Sequence, residues 1–125
     1  MQRHGVCLLI VLLPAFAWIQ AVTEESKIKP DVRALEKRFQ VVKGRFDDDK
    51  RVYVWLLEAK ETSEAPCRFD AVFQDADDKE VKSVKVEFED GGARTEKGEK
   101  YRASVKYPTR KIMEKVTQIV IKKSD

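Results

Sequence analysis

Between Pro66 and Phe88 the apolar residues return at every second position, and that period restricts the chain more than any other feature. Cys67, Phe69, Ala71 and Phe73 alternate with Arg68, Asp70 and Gln74. This is the pattern of a strand with one buried face. Asp75-Ala76-Asp77-Asp78-Lys79 interrupts it with turn-forming residues. Val84, Val86 and Phe88 then resume it, with Lys85 and Glu87 in the opposite phase. Two paired strands at the centre of a small β domain are expected.

The same reading extends in both directions. Phe39-Gln40-Val41 opens a first strand that continues past Gly44 to Phe46, and Asp47-Asp48-Asp49-Lys50 forms a turn. From Arg51 to Lys60 apolar residues fill both phases: Tyr53, Trp55, Leu57 and Ala59 in one, Val52, Val54 and Leu56 in the other. Such a strand is central in its sheet or covered on both faces. Trp55 is the expected plug between two sheets. Asp90-Gly91-Gly92 and Glu96-Lys97-Gly98-Glu99 read as turns, and Tyr101, Ala103, Val105 and Tyr107 as a strand stopped by Pro108. Ile112 and Met113 anchor a connection from Thr109 to Lys115, and Val116 to Lys122 closes the chain as a strand. Six or seven short antiparallel strands separated by turns describe an all-β sandwich.

The sandwich is expected over residues 39–125. Residues 22–38 read as a flexible segment or a short helix from Pro30-Asp31, with Val32, Leu35 and Phe39 on one side. Residues 1–21 have the form of a secretory signal peptide: basic Arg3 and His4, an apolar run from Val6 to Ile19, and small residues ending at Ala21. A secreted or periplasmic location is expected, with no membrane span in the mature chain. Cleavage takes Arg3 from the 25 basic residues and none of the 22 acidic ones, leaving a net charge of +2. Lys and Glu alternate along the same segments, as in Glu96-Lys97-Gly98-Glu99-Lys100, so no basic stripe marks a nucleic-acid binder. Cys67 is then the one remaining cysteine, and its phase with Phe69 and Phe73 makes it a buried thiol. With no second cysteine to pair, the domain depends on its core alone.

Three blocks carry a resemblance: Tyr53 to Ser63 (YVWLLEAKETS), Phe69 to Val81 (FDAVFQDADDKEV) and Lys97 to Ala103 (KGEKYRA). Their succession resembles that of the FxLYD-type domains over about residues 39–122. Asp75 stands in the Asp place of the family's motif, with Gln74 and Phe73 in its aromatic and aliphatic places. The resemblance implies a small immunoglobulin-like sandwich of an exported prokaryotic protein and carries no catalytic residues with it.

Chemistry finds little to work with. His4, the sole histidine, leaves with the signal peptide, so neither a histidine-activated nucleophile nor a histidine zinc site can be assembled. Neither catalytic nor metal-binding residues are assigned, and no cofactor. Non-enzymatic association with a protein partner is expected, through a sheet face or an edge strand, from a monomer or weak oligomer. Phe39 to Phe46 and Val116 to Lys122 are the candidate edges. One alternative is a calcium module on Asp75, Asp77, Asp78 and Glu80, which offer flexible acidic oxygens but lack the glycine and distal glutamate of a calcium loop. Another is a small hydrolase using paired carboxylates.

Overall fold

A computed structural model describes residues 27–89, 91–92 and 94–124; the signal-peptide expectation for residues 1–21 lies outside them. Two four-stranded sheets face each other. One has the order β2-β3-β7-β6, from Phe39–Asp47 (β2), Val52–Ala59 (β3), Lys100–Lys106 (β7) and Glu87–Phe88 (β6). The other has the order β1-β8-β4-β5, from Pro30–Asp31 (β1), Gln118–Lys123 (β8), Phe69–Gln74 (β4) and Glu80–Lys85 (β5). Every pairing is antiparallel except that of β1 with β8. The order β2-β3-β7-β6 matches the A-B-E-D order of an immunoglobulin sheet, and β5-β4-β8 takes the places of C′, C and F. The short β1 lies beside β8, in the place that the G strand takes in an immunoglobulin sheet.

The inner faces make the core. Trp55, Leu57 and Ala59 on β3 and Ala103 and Val105 on β7 meet Phe69, Ala71 and Phe73 on β4 and Ile119 and Ile121 on β8, all buried. Each buried side chain of Val size or larger contributes about 1.5–3 kcal/mol. Tyr107 lies at the junction of the sheets, its ring edge-on to Phe73 at 5.4 Å and 4.7 Å from that of Phe46. Cys67 is buried in this core, as its phase requires.

On β2 the core-facing phase changes partway. Phe39 and Val41 pair with Ala59 and Leu57, whereas Gly44 and Phe46 pair with Trp55 and Tyr53. An odd set gives way to an even one, so one residue must be extra, and a β-bulge falls between Val41 and Lys43. Lys43 and Arg45 are thereby turned outward.

Two expectations need correction. Val84, Val86 and Phe88 do not lie on one strand: the chain leaves the β5 sheet at Val86, whose N–H still donates to Phe69 O, and joins the other sheet as β6. The alternation survives because all three side chains face the core on either side of the corner. The last strand is not an edge either. Along its length β8 pairs with β4, and its other side is covered at Ile119 and Val120 by β1.

The N-terminal segment is packed from Ile28 onward. Pro30 and Asp31 form a strand rather than opening a helix, and the helix is the single turn Arg33–Glu36 (α1), which buries Leu35. Asp31 Oδ1 accepts from Arg33 N at 3.1 Å at the start of that turn. Tyr107 Oη donates to Ile28 O at 2.7 Å, which fastens the segment to the core. A second turn, Arg110–Met113 (α2), is capped by Thr109 and buries Met113, so the connection before β8 is anchored as expected.

Candidate interaction face

Since β3 is central but covered on one side only, its second apolar phase is presented outward. Val52, Val54 and Leu56 are half-buried and form a stripe along the outer face of the β2-β3-β7-β6 sheet. Cross-strand register fixes the neighbours. Leu56 stands between Lys43 and Arg102, Val54 between Arg45 and Ser104, and Val52 between Asp47 and Lys106. Glu58 ends the stripe between Gln40 and Lys100, and Glu87 on β6 lies beside Ser104. Lys43, Arg45, Lys100, Arg102 and Lys106 are exposed. Among the described residues, none of these five cations has an ion pair within 4 Å. A shallow depression of about 320 Å³ spans Lys43, Gly44, Arg45, Val54, Leu56 and Arg102.

Gly44 is required where the edge of this face meets the core. A Cβ on it would lie 2.9 Å from Tyr53 Cε1 and 3.0 Å from Trp55 Cδ1, whose rings are 5.2 Å apart. Trp55 is the core plug the sequence indicates, whereas Tyr53 is half-buried, and burial raises its phenol pKa above the ordinary value.

The opposite outer face is differently built. Asp70 sits between Lys85 and Lys122 in register, alternating in charge. Gln118 Nε2 donates to Gln74 Oε1 at 2.7 Å and to Asp78 Oδ1. Its apolar residues are Val72, which is buried, and Val120.

The edges are guarded. As expected, β2 is an edge strand, but the bulge at Val42 and the charges of Lys43, Arg45 and Asp47 interrupt it. On the β5 edge, Lys82 is opposite the core residue Phe73 yet remains exposed. A charged residue in the core-facing phase discourages a further strand from adding there.

The acidic residues singled out for calcium serve the β4–β5 turn. Asp75 Oδ1 accepts from Asp77 N at 2.8 Å and Lys79 N at 3.0 Å, and Asp78 adopts a φ of 62°. Exposed Glu80 begins β5. Among the described residues no three His, Cys, Asp or Glu side chains are grouped to hold a metal ion. Asp70 and Glu87 both line a depression of about 630 Å³, with Arg68 and Lys85 beside them. The hydrolase alternative thus has two acids at one concavity.

The chain matches no protein-family model, no curated protein and no solved structure. No helix among the described residues is long and apolar enough to cross a membrane.

Of the two readings the sequence leaves for Arg51 to Lys60, central in its sheet or covered on both faces, the first holds: β3 lies between β2 and β7 with its second apolar phase facing outward. One signal was available: the core phase is odd at Phe39 and Val41 and even at Phe46, which places Lys43 and Arg45 on the face of Val54 and Leu56.

Proposed function

We propose that this chain is a non-enzymatic exported module that holds a protein partner through the outer face of the β2-β3-β7-β6 sheet. The observation that carries the reading is the apolar stripe Val52-Val54-Leu56 flanked by exposed cations that, among the described residues, make no ion pair within 4 Å. Desolvating such a stripe favours association, and the surrounding charges select the partner. Interrupted edges on β2 and β5 favour the face over strand addition. The immunoglobulin-type strand order supports the FxLYD-type assignment, and the leader-like residues 1–21 support export.

Affinity capture from the extracytoplasmic material of the source, using matched variants, tests the reading. Leu56→Glu places a carboxylate between Lys43 and Arg102, and Val120→Lys places a cation beside Asp31 on the other sheet. Each new charge has an opposite one in register, so both variants are expected to fold. A stoichiometric partner held by the wild type and by Val120→Lys but lost from Leu56→Glu is the expected result. No partner, or equal retention by both variants, contradicts it.

A further inference from the structure

The register of the stripe describes the surface that would cover it. Resting on the binding-face reading above, we infer that the partner presents an acidic amphipathic helix, laid along β3 with its apolar line on Val52, Val54 and Leu56.

Hydrogen bonding gives the first reason. A sheet face offers no main-chain donors or acceptors, because those lie in the plane of the sheet and pair β3 with β2 and β7. An extended segment laid across the face would bury its own peptide groups unpaired, whereas a helix satisfies them internally. Geometry gives the second. Lys43 and Arg102 stand on strands either side of Leu56, two strand spacings or about 10 Å apart. That is close to the diameter of a helix with its side chains. Val52 to Leu56 covers five residues of strand, four rises or about 13 Å, which matches roughly nine residues of helix.

Charge gives the third. A helix with apolar residues at i, i+3, i+4 and i+7 has two flanks. On β3 one flank would lie over Lys43 and Arg45 and the other over Arg102, with Lys106 beyond it. Acids also face this surface: Asp47 beside Val52, Glu58 at the far end, and Glu87 and Glu89 beyond Ser104 and Arg102. They border the ends and one side of the stripe, whereas Leu56 has a cation in register on each side and Val54, at the centre, has Arg45 on one side and Ser104 on the other. A helix with carboxylates on both flanks therefore complements Lys43 and Arg45 on one side and Arg102 on the other, and one with lysines there is repelled by them.

Two helical peptides of about 18 residues, long enough to hold helix in an alanine-rich background, serve as probes. Both carry the same leucine line; one has glutamates on both flanks and the other lysines. Titration into the full protein at low salt is expected to show the acidic peptide binding at least about tenfold more tightly, the sum of several weak exposed ion pairs. Arg45→Glu with Arg102→Glu is expected to abolish that preference. Lys43→Glu alone, on an edge strand, is expected to reduce it and serves if the double variant does not fold. Equal binding of the two peptides, or binding unaffected by either variant, overturns the inference. Binding to phosphatidylglycerol vesicles without binding to the acidic peptide overturns it as well, in favour of a lipid surface. If capture yields a partner lost from Leu56→Glu while the acidic peptide fails, the helix inference alone falls. If both fail, the face itself is wrong.

Discussion

Individual residues show where this small sandwich has no slack. Gly91 and Gly92 have φ values of 82° and 68°, yet they differ in what a side chain would meet. A Cβ on Gly91 finds open space, whereas one on Gly92 lies 3.0 Å from the carbonyl oxygen of Cys67, the acceptor-side backbone of a buried residue. Gly91→Ala should therefore cost about 1 kcal/mol from conformation alone. Gly92→Ala should cost about 2–3 kcal/mol, with strain and contact added. Thermal melts of the pair check this, and a Gly91→Ala melting below Gly92→Ala would refute it. Tyr53 supplies a pH prediction of known sign. Its phenol is raised from 10.0 by desolvation, so above pH 10 the folded protein keeps a proton that the unfolded chain releases. Its contribution is intact below pH 10 and disappears as the pH rises through the raised pKa. Ultraviolet titration should show a late-ionising tyrosine component that is reduced in Tyr53→Phe.

Among the elements, β1 depends most on a single tether. Two pairings with β8 and the bond from Tyr107 Oη to Ile28 O hold it in place. Tyr107→Phe keeps the buried ring and removes about 1 kcal/mol of hydrogen bonding. Amide exchange at Ile28 to Asp31 should accelerate about fivefold, while β3 and β7 exchange as before; uniform acceleration would mean that the tether serves the whole domain. Elements differ in how far their sequence declares them. β4 and β7 were legible because Phe69 to Phe73 and Tyr101 to Tyr107 keep one phase along one sheet. β1 was not, since two residues beginning with proline carry no period. The division of Val84, Val86 and Phe88 between sheets was also hidden, because turning the corner leaves the core-facing phase unchanged. Nor could the sequence show that β8 is covered, since Pro30 and Asp31 approach it from nearly ninety positions away.

At the scale of the whole molecule, the two outer faces differ. On the β4 side Asp70 alternates in register with Lys85 and Lys122 and Gln118 donates to Gln74, while the β3 side presents Val52, Val54 and Leu56 with Lys43, Arg45, Arg102 and Lys106 beside them. That contrast follows from one extra residue at Val42, which aligns Lys43 and Arg45 with the stripe. The face was only half legible: its apolar residues were evident in the sequence, but their exposure depends on which sheet lies behind them. The most direct test is photo-crosslinking in the source cells, with a photoreactive amino acid in place of Ser104 on the β7 face or Ser83 on the β5 face. A discrete adduct from position 104 and none from position 83 is the predicted result. An adduct from position 83 alone, or from neither position, would contradict a binding role for the outer face of the β2-β3-β7-β6 sheet.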